Sequence, residues 1–141
     1  MEHDLAHIEA CCRRIIDQAA AVLSWQWDDH IGAMLAAFSI EHADRVGRVL
    51  DDSFASLWDD SSIVDAPAPV REIAESLGRL RSGQRLYVTP AEAGPVAFGA
   101  WWPWGNGETI SLRIGLVLGL TEDARAERLG REFVGWFTAS P

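Results

Sequence analysis

At 141 residues and a net charge of −9, the chain is predicted to form a single domain, 1–141, that buries a core without metal or disulfide staples. All twelve basic residues are arginine, and the absence of lysine excludes Walker-A loops, protein-kinase sites, pyridoxal-phosphate Schiff bases and lysine-dependent nuclease centres. The acidic start and the lack of a long apolar stretch predict a cytoplasmic protein without signal peptide or membrane span. Twenty alanines beside arginine as the sole basic residue are typical of a GC-rich bacterial genome.

The negative charge is concentrated in the first half of the chain. Residues 1–66 carry thirteen acidic residues and four arginines, whereas residues 67–141 carry eight of each. Such a surface repels nucleic acid and anionic membranes, and it attracts a cationic protein through long-range steering. We therefore expect a cationic protein partner and no nucleic-acid or membrane partner. The alternative is that the charge only keeps the protein soluble.

The first predicted element is a helix, because apolar residues recur every three or four positions from Leu5 to Leu23. Cys11 and Cys12 are neighbours on this helix and point in different directions, so they cannot pair with each other without breaking it. We predict reduced thiols in a reducing compartment.

A second helical stretch is predicted after a short connector that contains Trp25 and Trp27. Apolar residues continue at helical spacing over residues 31–58, and about thirty residues is long for a globular helix. A kink or a split at Ser39 or Gly47 is therefore expected. The acidic half of the chain, residues 1–66, is thus predicted to be helical.

Four aspartates near the end of this predicted helix form the candidate partner-binding surface. Asp52 and Asp59 lie seven residues apart, which places them on one helix face, and Asp51 and Asp60 adjoin them. Paired carboxylates also serve acid–base chemistry or bind Mg²⁺, but neither a glycine loop nor a histidine accompanies them in sequence. A solvated acidic edge that meets a cationic protein is the preferred interpretation.

The periodicity changes after a third helix, which begins near Pro69 and stops at Gly83. The predicted strands are residues 86–88, 96–102 and 109–118. A last helix is predicted to start at Thr121 and to run toward the C-terminus. Residues 67–141 thus hold a helix, a β-meander and a C-terminal helix. The predicted fold is an α+β domain with three or four helices packed on a three-stranded antiparallel meander, in the order helices–strands–helix.

The hairpin around Asn106 admits two registers. A two-residue loop pairs Trp102 with Ser111, whereas a three-residue loop with Gly107 in the left-handed region pairs Trp102 with Ile110. The second register makes one face of the hairpin wholly apolar, as expected if a single face meets the core. We therefore predict the three-residue loop, with the even-numbered residues of both strands turned toward the helices.

The outward face of this predicted register carries the candidate binding site. Gly99 and other very small residues form a floor, and Trp101, Ser111 and Arg113 stand beside it. Arg113 is expected near enough to Trp101 for stacking. Such a floor suits a flat ligand or an extended peptide, or equally the close packing of a helix or of a second copy of the chain.

Trp104 flanks the turn of the hairpin and completes the predicted set of binding residues. An exposed tryptophan there is either an interface anchor or a side chain folded back over the sheet edge. A small sheet with two free edges also predicts a homodimer.

The chain lacks the short motifs of nucleophilic, metal-dependent and nucleotide-dependent enzymes. The preferred prediction is a non-enzymatic protein-binding module of the immunity-protein, chaperone or adaptor type, with no metal and no cofactor. The alternative is a small-ligand sensor that uses the outer sheet face around Trp101 and Arg113. A hydrolase built on aspartate and histidine residues is the least favoured hypothesis.

Overall fold

The computed structural model describes residues 5–91, 94–118 and 123–138 of the chain. Its elements follow one another as a helix, a β-hairpin, a helix, a strand, a helix, three strands and a last helix. The helices are α1 (Ala6–Gln18), α2 (Ala43–Ser53), α3 (Ala68–Ser76) and α4 (Asp123–Thr138). The strands are β1 (Gln26–Asp28), β2 (Ala33–Ser39), β3 (Ser56–Asp59), β4 (Arg85–Val88), β5 (Val96–Pro103) and β6 (Thr109–Val117). The predicted start of the last helix at Thr121 lies outside the described residues.

All six strands form one antiparallel sheet in the order β1-β2-β6-β5-β4-β3. The prediction of a three-stranded meander is therefore wrong. The predicted meander is present as β4, β5 and β6, but β2 and β1 extend it on one side and β3 extends it on the other. The added strands come from the half of the chain that was predicted to be helical, so the protein is α+β with a larger sheet.

The largest error is the predicted helix over residues 31–58. Within it, β2 pairs with β6 along its whole length, and Met34, Ala36 and Phe38 alternate inward and are buried. Alanine, methionine and leucine favour helix by intrinsic propensity, and the apolar residues of this segment fit both helical and strand spacing. Strand pairing with β6 outweighs the local preference, because it buries this face and satisfies the backbone at once.

A tight turn joins β1 to β2, and the spacing of the apolar residues does not predict it. Gly32 has a φ of 76°, a conformation that glycine adopts without steric cost. Its N–H donates to the Asp28 carbonyl at 2.8 Å, and the Asp28 carboxylate accepts from the His30 N–H at 2.9 Å. These bonds reverse the chain direction so that β2 runs antiparallel to β1. The segment after α1 is therefore a hairpin, whereas a short connector was predicted.

Helices pack on both faces of the sheet, but on one face they reach only part of it. On one side, α1, α2 and α4 pack against residues such as Met34, Leu112 and Ile114, and we call this side the three-helix face. On the other side, the α3 face, helix α3 packs against β3, β4 and β5 in a second core. No described residue of β1, β2 or β6 belongs to that second core. One half of the α3 face therefore has no helix packed on it within the described residues.

The register of β5 and β6 also differs from the prediction. Trp102 lies opposite Ser111, so the predicted pairing with Ile110 is wrong. The prediction assumed that only one face of the hairpin meets a core. Because helices pack on both faces, β5 is buried on both sides from Val96 to Trp101, and a single wholly apolar face is not required.

The loop of this hairpin explains how the observed register is held. The Trp104 N–H donates to the Thr109 carbonyl at 2.8 Å and closes a loop over residues 105–108. Inside it, the Asn106 side-chain oxygen accepts from the N–H groups of Glu108 at 2.8 Å and Thr109 at 3.1 Å. Gly107 has a φ of 71°, in the predicted left-handed region, but the loop is one residue longer than predicted.

Cys11 and Cys12 are both free and buried in the core beneath α1. Burial raises the pKa of Cys11 to about 12 and also raises the pKa of Cys12, because removal from water penalises the thiolate. Both side chains are therefore packing residues of this helix.

Candidate functional site

The predicted binding surface around Gly99 and Trp101 does not exist, because both residues lie on the three-helix face. Trp101 is 3% exposed and makes ring contacts with Phe38 at 5.4 Å and Tyr87 at 6.5 Å between centroids. The guanidinium of Arg85, not of Arg113, lies 4.7 Å from the centre of its ring. A side chain at Gly99 would meet the ring of Phe54 at 3.2 Å, so no ligand reaches this floor.

Ser111 and Arg113 do share the opposite face, as the alternation in β6 predicts, but Arg113 has other partners than expected. Its Nε donates to the Asp28 carboxylate at 2.8 Å, and its Nη1 donates to the Ser111 hydroxyl at 3.1 Å. The guanidinium lies 4.9 Å from the centre of the Trp102 ring. These contacts neutralise and shield the cation, which disfavours a role in reading an anionic ligand.

The Asp28–Arg113 pair predicts a specific loss of stability in acid. The hydrogen bond from Arg113 is the main cause that lowers the pKa of Asp28, so the native state favours the carboxylate more than the unfolded chain does. The resulting stabilisation is present above the ordinary aspartate pKa of 3.8 and is lost as pH falls through the lower native value.

Urea unfolding of the native protein and of Asp28→Asn, followed from about pH 6 down to about pH 2, tests this linkage. Asparagine keeps the acceptor for the His30 N–H but cannot titrate. We expect the native protein to be more stable at the upper end and this advantage to shrink in acid. An advantage that stays constant over the whole range contradicts the assigned pair.

Two other tryptophans of the hairpin differ in their exposure. Trp102 is partly buried against the α3 core, and its Nε1 is a buried donor for which no described residue provides an acceptor. Trp104 is 50% exposed at the end of β5, beside the loop. Of the residues predicted to bind a partner through the sheet, Trp104 is thus the one with a large accessible apolar surface.

The four predicted partner-binding aspartates are exposed, but they do not lie on one helix. Asp51 and Asp52 are in the last turn of α2, where Nη1 of Arg14 donates to the Asp52 carbonyl at 2.9 Å. Phe54 is extended and ends the helix, so Asp59 and Asp60 belong to the end of β3 and the turn after it. The predicted helix face is wrong because residues 56–59 pair with β4.

Asp59 also has a structural role in the turn that follows β3. Its carboxylate accepts from the N–H groups of Ser61 and Ser62, both at 2.9 Å, and its own N–H donates to the Ser62 hydroxyl at 2.9 Å. The backbone hydrogen bonds from Ser62 and Ser61 lower the pKa of Asp59, so this carboxylate is ionised at neutral pH.

The acidic character of the first half is a surface property. Of the eleven acidic residues described between positions 5 and 66, nine are exposed, and the remaining two, Glu9 and Asp28, are partly buried. Arg13 pairs with Glu9 at 2.6 Å, which leaves the exposed carboxylates in excess over cations.

A groove of about 590 Å³ lies at the end of β2, where Ala37, Ser39, Ile40, Glu41 and Glu108 contribute to its walls. Ile40 is 49% exposed there. Neither the strand β2 nor this groove was predicted. The signals in the sequence are Gly32, which marks a turn, and the alternation of Met34, Ala36 and Phe38 after it.

Comparisons of the chain with protein families, with characterised proteins and with solved structures found no match. Across the described ranges, no helix combines the length and apolarity needed to cross a bilayer. The same ranges contain no cluster of three or more His, Cys, Asp or Glu side chains arranged to hold a metal ion.

Proposed function

We propose that this chain is a non-enzymatic protein-binding module, of the immunity-protein, chaperone or adaptor type, that engages a cationic partner through its acidic half. The observation that carries the proposal is the exposure of nine acidic side chains within residues 5–66, where the sequence places only four arginines. Exposed charge of one sign accelerates encounter with a partner of the opposite sign and disfavours partners of like sign. A cytoplasmic location and a homodimer remain predictions that accompany this proposal.

The alternative proposal, a small-ligand sensor, depended on Trp101 and Arg113 standing together on an open sheet face. Trp101 is buried on the three-helix face, and Arg113 is paired with Asp28 on the other. This arrangement gives the alternative no supporting observation, so we do not pursue it.

Charge removal at the candidate surface tests the proposal. Immobilised native protein is compared with a quadruple aspartate-to-asparagine variant for capture of proteins from a cell lysate at low salt, followed by elution at high salt. The substituted residues are Asp51, Asp52, Asp59 and Asp60. Asparagine retains the side-chain oxygen that Asp59 offers to Ser61 and Ser62, so the turn after β3 is expected to persist.

The matched control removes the same number of negative charges from exposed positions in the second half. The control residues are Glu72, Glu75, Glu127 and Glu132. We expect a basic partner whose retention falls about tenfold in the aspartate variant and much less in the control. Each contact between exposed charges contributes about 0.2–1 kcal/mol, so the loss of four contacts together accounts for a change of this size. A partner retained equally at both salt concentrations, or lost equally from both variants, contradicts the proposal.

A further inference from the structure

The outer edge of β2 is only partly covered by its neighbour. β1 spans Gln26–Asp28 and pairs only with Ala33–Leu35. The remaining residues of β2, 36–39, therefore have no partner in β1. On its other side β2 pairs with β6 through Ser39. Among the described residues, no strand lies beside the outer edge of residues 36–39, which we call the open edge.

Hydrogen-bond alternation identifies which backbone groups point out of the open edge. The Ile40 N–H donates to the Glu108 carbonyl at 2.8 Å, so Ile40 points its backbone groups toward β6. In an antiparallel pair successive residues point their backbone groups to opposite sides. The N–H and carbonyl of Ala37 and the N–H of Ser39 therefore point outward, and no described residue bonds to them.

The groove at the end of β2 is lined by residues of the open edge and, across β2, by Glu108 and Thr109, and its lining is acidic. Ala37 and Ser39 are exposed, and Glu41 and Glu108 flank them with exposed side chains. The lining includes no arginine. Among the described residues, the one basic side chain within ion-pair distance of Glu41 is the neighbouring His42, whose Nε2 lies 3.3 Å from the carboxylate. Unpaired strand donors and acceptors beside two carboxylates present a matching surface for an extended segment with basic side chains.

We propose that the open edge binds an extended, cationic segment of the protein partner by strand addition. This inference rests on the proposed function for the charge of the partner and adds the mode of binding. The partner's backbone bonds to Ala37 and Ser39 and continues the sheet where β1 stops. Arginine or lysine side chains of the segment, which alternate along it, reach Glu41 and Glu108.

Ser39 offers a substitution that removes one outward donor without disturbing the sheet. Its φ of −71° and ψ of 144° suit proline, and the preceding residue, Phe38, is in the extended conformation that proline requires before it. Because the Ser39 N–H points away from β6, Ser39→Pro leaves the β2–β6 hydrogen bonds in place. The matched control is Ser39→Ala, which also loses the hydroxyl that accepts from the Glu41 N–H but keeps the donor.

The probe is an acetylated and amidated heptapeptide of alternating arginine and threonine, titrated at low salt into the isotopically labelled chain. We expect the amide signals of Ala37 and Ser39 to shift and their hydrogen exchange to slow on binding. By calorimetry, Ser39→Pro is expected to bind about tenfold more weakly than the native protein, since a hydrogen bond is lost and the proline ring blocks the edge. Ser39→Ala is expected to stay within about twofold.

Other outcomes separate this inference from the proposed function. The peptide could instead bind both Ser39 variants with equal affinity and shift only the amides near the four aspartates Asp51, Asp52, Asp59 and Asp60. That result contradicts strand addition but still supports a cationic partner. No binding at low salt to any part of the chain overturns both. A third outcome is that the Ala37 and Ser39 amides are protected from hydrogen exchange without peptide and that light scattering gives twice the mass of the chain. That result assigns the open edge to a second copy of the chain and contradicts the peptide proposal.

Discussion

Replacement of Trp101 by alanine is expected to lower the free energy of unfolding by about 3–5 kcal/mol, the range for a large aromatic truncated in a core. Trp101 is 3% exposed and contacts the rings of Phe38 and Tyr87. Its indole also lies beneath the Arg85 guanidinium and 3.9 Å from the position that a Cβ at Gly47 would occupy. These contacts surround the indole on several sides, so its removal is expected to leave a cavity and a loss within that range.

The control for this variant is Trp104→Ala, measured by the same urea unfolding. Trp104 is 50% exposed, so its truncation is expected to change stability by no more than about 0.5 kcal/mol. The pair of variants therefore tests the register of β5. Equally small losses of stability in both variants would mean that Trp101 faces solvent, which contradicts the fold described above.

Gly115→Ala is expected to cost about 1–3 kcal/mol through overpacking. A Cβ at this position would lie 2.4 Å from Cζ and 2.5 Å from Cε2 of Phe98, which is opposite Gly115 in the sheet. The Phe98 ring cannot move away freely, because it is buried in the core beneath α3. The substitution therefore forces a shift in the second core or in the pairing of β5 and β6.

The matched control is Gly135→Ala in α4, where no described atom outside the chain neighbours and the helix's own backbone lies within 4 Å of the added Cβ. Alanine is the better helix former by about 1 kcal/mol, so this variant is expected to be neutral or more stable. A double variant, Gly115→Ala with Phe98→Leu, is expected to recover part of the loss because the smaller side chain makes room. A Gly115→Ala protein as stable as the native one would mean that the Phe98 ring does not cover Gly115.

Several elements could be predicted from periodicity because only one structure fits their pattern. The spacing from Leu5 onward predicts α1, and Pro69 marks the first turn of α3. The predicted stop of α3 at Gly83 is wrong, because the helix ends at Ser76 and is followed by Gly78 and Arg79 with positive φ. The predicted strands 86–88, 96–102 and 109–118 correspond to β4, β5 and β6, and β6 ends one residue earlier, at Val117. The short apolar segment 33–39 fits both the helical and the strand period. Its partner strand β6 is distant in sequence, so the local pattern could not distinguish the two and a helix was predicted.

The candidate site was predictable in its charge and not in its geometry. Exposure of Asp51, Asp52, Asp59 and Asp60 follows from their residue type, since aspartate is rarely buried in a folded protein. Their distribution over α2 and β3 depends on where the helix ends at Phe54. The open edge depends on β1 being shorter than β2, which no feature of β2 itself determines.

The sequence by itself determined the acidic surface, the helices with a single period, and the alternation that sends Ser111 and Arg113 to one side of β6. Only the tertiary structure decided which residues of β5 share that side. Alternation fixes the two faces of each strand separately, whereas their relative register depends on the loop closed by Asn106 and on α3, which buries the second face. With both faces buried, apolarity no longer distinguishes inside from outside, and Trp101 lies under the helices while Trp102 meets Arg113.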